Sequence, residues 1–207
     1  MVDGDLSTYA NRVIRPSGDR ILQALDQPNG NRFMFSVEYI HIHEFVLHLL
    51  DTLMNTRGWR GVLISVDKPA NYIFRLMKSR NLNFDRIHII DIMTAITNET
   101  VQFPPCIVQL RSPFCTDLDK DLLNVLGGPM AQEVGIDLGK THFLIFDNIA
   151  VLDHYMELIS LKRIFVKLDE YLKKFPLLKS IMIMDKTRQG KIYDAFEGWA
   201  DHEVLLG

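Results

Sequence analysis

The chain has 207 residues, of which 47% are hydrophobic and 24% charged, with a formal net charge of -3. That length suits one α/β domain around a single core. The small negative charge gives no field that would recruit nucleic acid or an anionic membrane. No apolar run approaches the roughly 20 residues of a membrane span, and the polar start MVDGDLSTYANRVIRPSGD lacks a secretory h-region. Two cysteines, Cys106 and Cys115, make no disulfide framework. A cytoplasmic protein with reduced thiols is expected.

Residues 1–30 are polar and punctuated by Pro16, Gly18, Pro28 and Gly30, so they read as a leader packed loosely on the domain. Within it DRILQALDQ suits one or two helical turns. The domain proper spans 31–207. RFMFSVE predicts a strand, and residues 43–57 a helix with Phe45, Val46, Leu49, Leu50, Leu53 and Met54 at helical spacing. Gly58 suits that helix's C-terminal cap. GVLISVD is a second strand, apolar on both faces as in a buried parallel sheet. Pro69 opens a helix through ANYIFRLMKSRN, and RIHIIDIM is a third strand. Residues 95–140 break this rhythm with prolines and the Gly127–Gly128 pair, leaving short helices near 119–126 and 129–135. An excursion of that length is more often functional or an interface than a plain connector. The rhythm resumes with HFLIFDN as a strand and residues 153–174 as a helix carrying Met156, Ile159, Ile164, Val166, Leu168 and Leu172. KSIMIMD, KIYDAFEGWA and HEVLLG follow as strand, short helix and final strand. Alternating strands and helices predict a parallel-rich, twisted sheet with helices on both faces.

GVLISVDKPANYIFRLMKSRNLNFDRIHIID, and the stretch from HFLIFDNIAVLDHYMELISLKRIFVKLDEYL to the closing strands, resemble the RecA/KaiC-like ATPase core, its archaeal members above all. The resemblance covers about 32–94 and 141–207 and implies a RecA-like three-layer α/β fold. It also implies a phosphate loop, GxxxxGK[ST], between the first strand and first helix, where glycine amides wrap the phosphates and lysine neutralises them. That position here reads VEYIHIHEF, with no glycine, lysine, serine or threonine, and with Glu38 and Glu44 to repel a triphosphate. Where the family keeps a water-activating glutamate stand Asp67 and Lys68. Asp147 occupies the Walker B aspartate position, followed by Asn148. ATP hydrolysis is therefore not expected, and no cofactor is called for.

Three sets of side chains remain as candidates. His41, His43 and Glu44, with His48 one turn on, are a possible zinc-type set, although they do not match HExxH. Their bland alternative is a partly exposed polar turn. Asp67, Asp91, Asp147 and Asp185 each end a strand and form an acidic rim at the carboxyl edge of the sheet, where α/β folds gather ligands. An acid in that position also commonly caps the next helix. Lys186, Arg188 and Lys191 resemble the loop by which RecA-type neighbours reach one another, and are otherwise a solvated turn. Cys106 and Cys115 read as small fillers rather than a redox pair. The leading expectation is a non-catalytic regulatory or scaffold subunit that binds a protein partner or itself, with no membrane or nucleic-acid role. The alternatives are a nucleotide or small-anion binder at the acidic rim and a metal-dependent hydrolase at the histidine turn.

Overall fold

The computed structural model of the protein describes residues 18–94, 104–110 and 117–206. The remainder of the leader, most of 95–116 and Cys115 lie outside the described residues. Seven strands form one sheet: β1 Arg32–Ser36, β2 Gly61–Ser65, β3 Ile87–Asp91, β4 Ile107–Gln109, β5 Phe143–Phe146, β6 Lys179–Met184 and β7 His202–Leu205. Their order is β4-β3-β2-β5-β6-β1-β7, and every pairing is parallel. The helices are α1 Gly18–Leu25, α2 Ile42–Asp51, α3 Ala70–Ser79, α4 Leu118–Gly127, α5 Pro129–Val134, α6 Leu158–Leu172 and α7 Gly190–Phe196.

The near-continuous apolar strands follow from burial on both faces. Phe33, Phe35, Leu63, Ile89, Ile145 and Ile183 pack in one layer with Leu25 of α1, Leu49 of α2 and Ile73 of α3. Met34, Val62, Ile64, Phe146 and Met184 pack in the opposite layer with Leu122 of α4, Leu161 of α6 and Tyr193 of α7. Alternate side chains of each strand thus go to opposite helix layers.

The expected glycine cap after α2 is present. Gly58 lies at φ +68° after α2 and the wide turn Thr52–Thr56, a left-handed conformation that glycine adopts without steric cost. Asp201 accepts hydrogen bonds from Arg32, which hold its carboxyl at about 2 and tie β7 to the start of β1.

Others are corrected. The 95–140 stretch contributes β4, a three-residue strand beside β3 that was not predicted. Helix α1 is not a loose leader, because Ile21 and Leu25 are fully buried against α2. The long helix begins at Leu158, five residues later than expected, because Ile149–His154 turns as 3₁₀ and buries Ile149, Ala150 and Leu152. Ile159 and Val166 face outward, since Leu161, Ile164, Phe165, Leu168 and Leu172 define the buried stripe.

Candidate functional site

The strand registers align Ser36 with Met184, Ser65 with Asp91, and Ile64 with Phe146. The residues just beyond them therefore lie along one edge. At this edge β1 sends its crossover through α2 towards β2, while its neighbour β6 crosses the other way through α7 to β7. Diverging connections open a crevice between adjacent strands, the usual ligand position in a doubly wound sheet.

Each rim acid has a local role here. Asp185 spans the β1–β6 crevice: its Oδ2 accepts from Tyr39 N at 2.7 Å, beyond β1, and its Oδ1 accepts from Thr187 N at 2.8 Å and Arg188 N at 3.0 Å. Asp147 spans the gap between β5 and β2, with Oδ1 accepting from Val66 N at 2.6 Å and Asp67 N at 3.2 Å. Burial pushes the Asp147 carboxyl up to about 7; the Val66 amide opposes the rise and the Asp67 carboxylate adds to it. Asp91 accepts from Ala70 N at 2.8 Å, capping α3, and also from Thr94 N at 2.8 Å and Thr94 Oγ1 at 2.7 Å. Three of the four acids thus hold backbone donors of their own edge.

Asp67 differs. Its side chain is 5% exposed, and its Oδ2 stands 3.0 Å from His43 Nε2, whose side chain is 20% exposed. The two atoms are not aligned as a hydrogen bond. Lys68 Nζ lies 3.9 Å from Asp67 Oδ1, and Tyr72 meets the His43 ring edge-on with centroids 6.3 Å apart. Asn148 is fully buried, and neither atom of its amide has a hydrogen-bond partner among the described residues.

The histidine turn is dispersed. His41 Nε2 lies 3.8 Å from Glu38, His43 turns to Asp67, and Glu44 pairs with Arg80 at 2.6 Å. Among the described residues, no group of three or more His, Cys, Asp or Glu could hold a metal ion. In the third set, Lys186 pairs with Glu203 at 2.9 Å and lies over the Tyr193 ring. Arg188 lies over the Tyr39 ring at 5.1 Å, and Lys191 is exposed on α7. The structure therefore brings Asp67 and Asp147 together and adds His43 to them; Asp185 is joined to the basic loop through the Arg188 amide, and Asp91 stands apart with Ala70 and Thr94. Sequence reading did not foresee the His43–Asp67 pair, which no motif encodes. Asn148 figured there only as the residue that follows Asp147.

This architecture is that of an α/β, RecA-like fold. Among solved structures it is similar to a KaiC-like protein from the hyperthermophilic archaeon Pyrococcus horikoshii, with a TM-score of 0.55 at 15% identity over 85% of this chain and 71% of that one. It is also similar to an uncharacterised protein from Pyrococcus horikoshii solved in complex with an unknown peptide, with a TM-score of 0.63 at 10% identity over 90% of this chain and 82% of that one. No protein-family model matches the chain, and neither does any curated protein.

Proposed function

We propose that the chain is a non-catalytic RecA/KaiC-like protein that acts as a regulatory or scaffold subunit by binding protein. One observation carries this reading: the backbone donors around the crevices that a phosphate would need are already held by internal carboxylates. Asp185 takes the amides of Tyr39, Thr187 and Arg188; Asp147 takes those of Val66 and Asp67; Asp91 takes that of Ala70. An incoming anion would have to displace a like-charged group, with no phosphate-loop lysine to compensate. The neighbour solved with a bound peptide lends support to a protein-binding role for this fold.

Calorimetry and thermal shift with ATP, ADP and GTP plus magnesium test the reading. A ligand present at 100 times its Kd would add about 2.7 kcal/mol of stability. The expected result is no saturable heat and no shift in Tm. Saturable binding of any of the three would overturn the proposal.

A further inference from the structure

We propose that the protein forms a two-fold dimer in which the turn after α6 of each copy enters a groove of the other. This rests on the protein-binding reading above and names the partner as a second copy of the chain. The knob is Leu177. The Leu178 amide donates to the Phe175 carbonyl at 3.0 Å, closing a turn with Pro176 and Leu177 at its tip. Such tips usually carry glycine, asparagine, aspartate or serine. Here Leu177 is 86% exposed, the most exposed large apolar side chain among the described residues. The turn is also stiff: Pro176 fixes its own φ, and its carbonyl accepts from the Asn31 side-chain amide. Leu178, next in the chain, is buried and anchors the turn at the start of β6.

The hole lies beside it. A groove of about 410 Å³, where the ends of α4 and α6 meet α5, is lined by Leu126, Ala131, Ile136, Leu138, Tyr171 and Phe175. Clefts of roughly 300–1,000 Å³ take ligand-sized apolar groups, so a leucine on a turn tip can enter. Gly127 keeps α4 close to α6 here, because a side chain at that position would collide with the Tyr171 hydroxyl. Phe175 both lines the groove and opens the Leu177 turn. Knob and hole are therefore two residues apart, about 7 Å of chain at most. A patch that carries its own complement is what a two-fold interface demands, since each copy gives and receives the same contact. A partner of other sequence would need only one of the two. Charge agrees. Lys174 lies over the Tyr171 ring at 5.1 Å, on the turn's side of the groove. Glu133 and Asp137 are exposed on the α5 side, and Asp137 holds Lys140 only in a solvent-exposed pair. The two-fold axis brings the basic side of each copy to the acidic side of the other.

Sedimentation equilibrium on the full chain, from micromolar to millimolar, is the test. A monomer–dimer equilibrium that goes no further is expected. Leu177→Asp and Gln132→Arg, the second at the groove, are each expected to weaken it by at least about tenfold, since two apolar contacts are lost at once. Both residues are exposed, and an unchanged Tm shows that each variant folds; Leu177→Ser replaces the aspartate variant if that one does not. Mixed together, the two variants keep one intact leucine-in-groove contact and set a carboxylate against a guanidinium in the other. The mixture is expected to dimerise about tenfold more tightly than either variant alone. A monomer at every concentration, a dimer indifferent to Leu177→Asp, an assembly that grows beyond two copies, or no gain on mixing overturns the proposal. Titrating the same samples with magnesium ATP keeps the two readings apart. A monomer that binds no nucleotide removes only this dimer; saturable nucleotide binding removes the non-catalytic reading, whether or not the chain dimerises.

Discussion

Asp147 concentrates the electrostatics of the edge in one side chain. It is fully buried beside Asp67, and its carboxyl is raised from 3.8 to about 7. The unfolded chain therefore releases this proton at lower pH than the folded one. Between about pH 4 and pH 7 the folded state holds more protons, and stability falls as pH rises through that window, by up to about 4 kcal/mol from this group. Asp147→Asn keeps an oxygen for the Val66 and Asp67 amides but cannot ionise. Urea unfolding at pH 5 and pH 8 is expected to show the variant gaining on the wild type by at least about 1 kcal/mol at the higher pH. An unchanged difference between the two proteins would refute the buried-acid account. The strand-end acids were legible in the sequence; of the four, Asp91 alone caps a helix, while Asp147 and Asp185 hold amides of a neighbouring strand end and of turns. The His43–Asp67 pair was not, because it depends on where the α2 crossover delivers one residue against the end of a strand three places across the sheet.

At the scale of elements, the strands were legible because burial on both faces makes each a nearly unbroken apolar run. Strand β4 was not, since three residues after a Pro-Pro pair carry no usable period. Helix α6 shows how composition can mislead: Ile159 and Val166 are apolar, yet lie off the stripe defined by Leu161, Ile164, Phe165 and Leu168. Ile159→Ser is accordingly expected to change stability by no more than about 0.5 kcal/mol. Leu161→Ser, two residues on and fully buried, is expected to cost about 3 kcal/mol or more. Paired thermal melts check this, and a large loss from Ile159→Ser would mean that the helix is turned differently.

For the whole molecule, the RecA-like plan was readable from the alternation of strands and helices, while the strand order emerged only from the structure. That order makes β7 indispensable. It is the outer neighbour of β1, and Asp201 just before it holds both the Arg32 side chain and the amides of Asn31 and Arg32. Stopping the chain after Ala200 removes both supports, leaving the Phe33 and Phe35 strand with β6 alone. Loss of the cooperative thermal transition is the expected outcome. A sharp melt within a few degrees of the full chain would show that β7 is dispensable.

The position of β1 also constrains how the protein is made. Among the described residues it is the first strand, yet both its partners, β6 and β7, are the last two. With every pair parallel, no hairpin is available to nucleate the sheet locally. During synthesis from the N-terminus, β1 must wait, apolar and unpaired, until β6 and β7 have emerged. Slow, late closure and a need for shielding in the nascent state follow from the strand order alone.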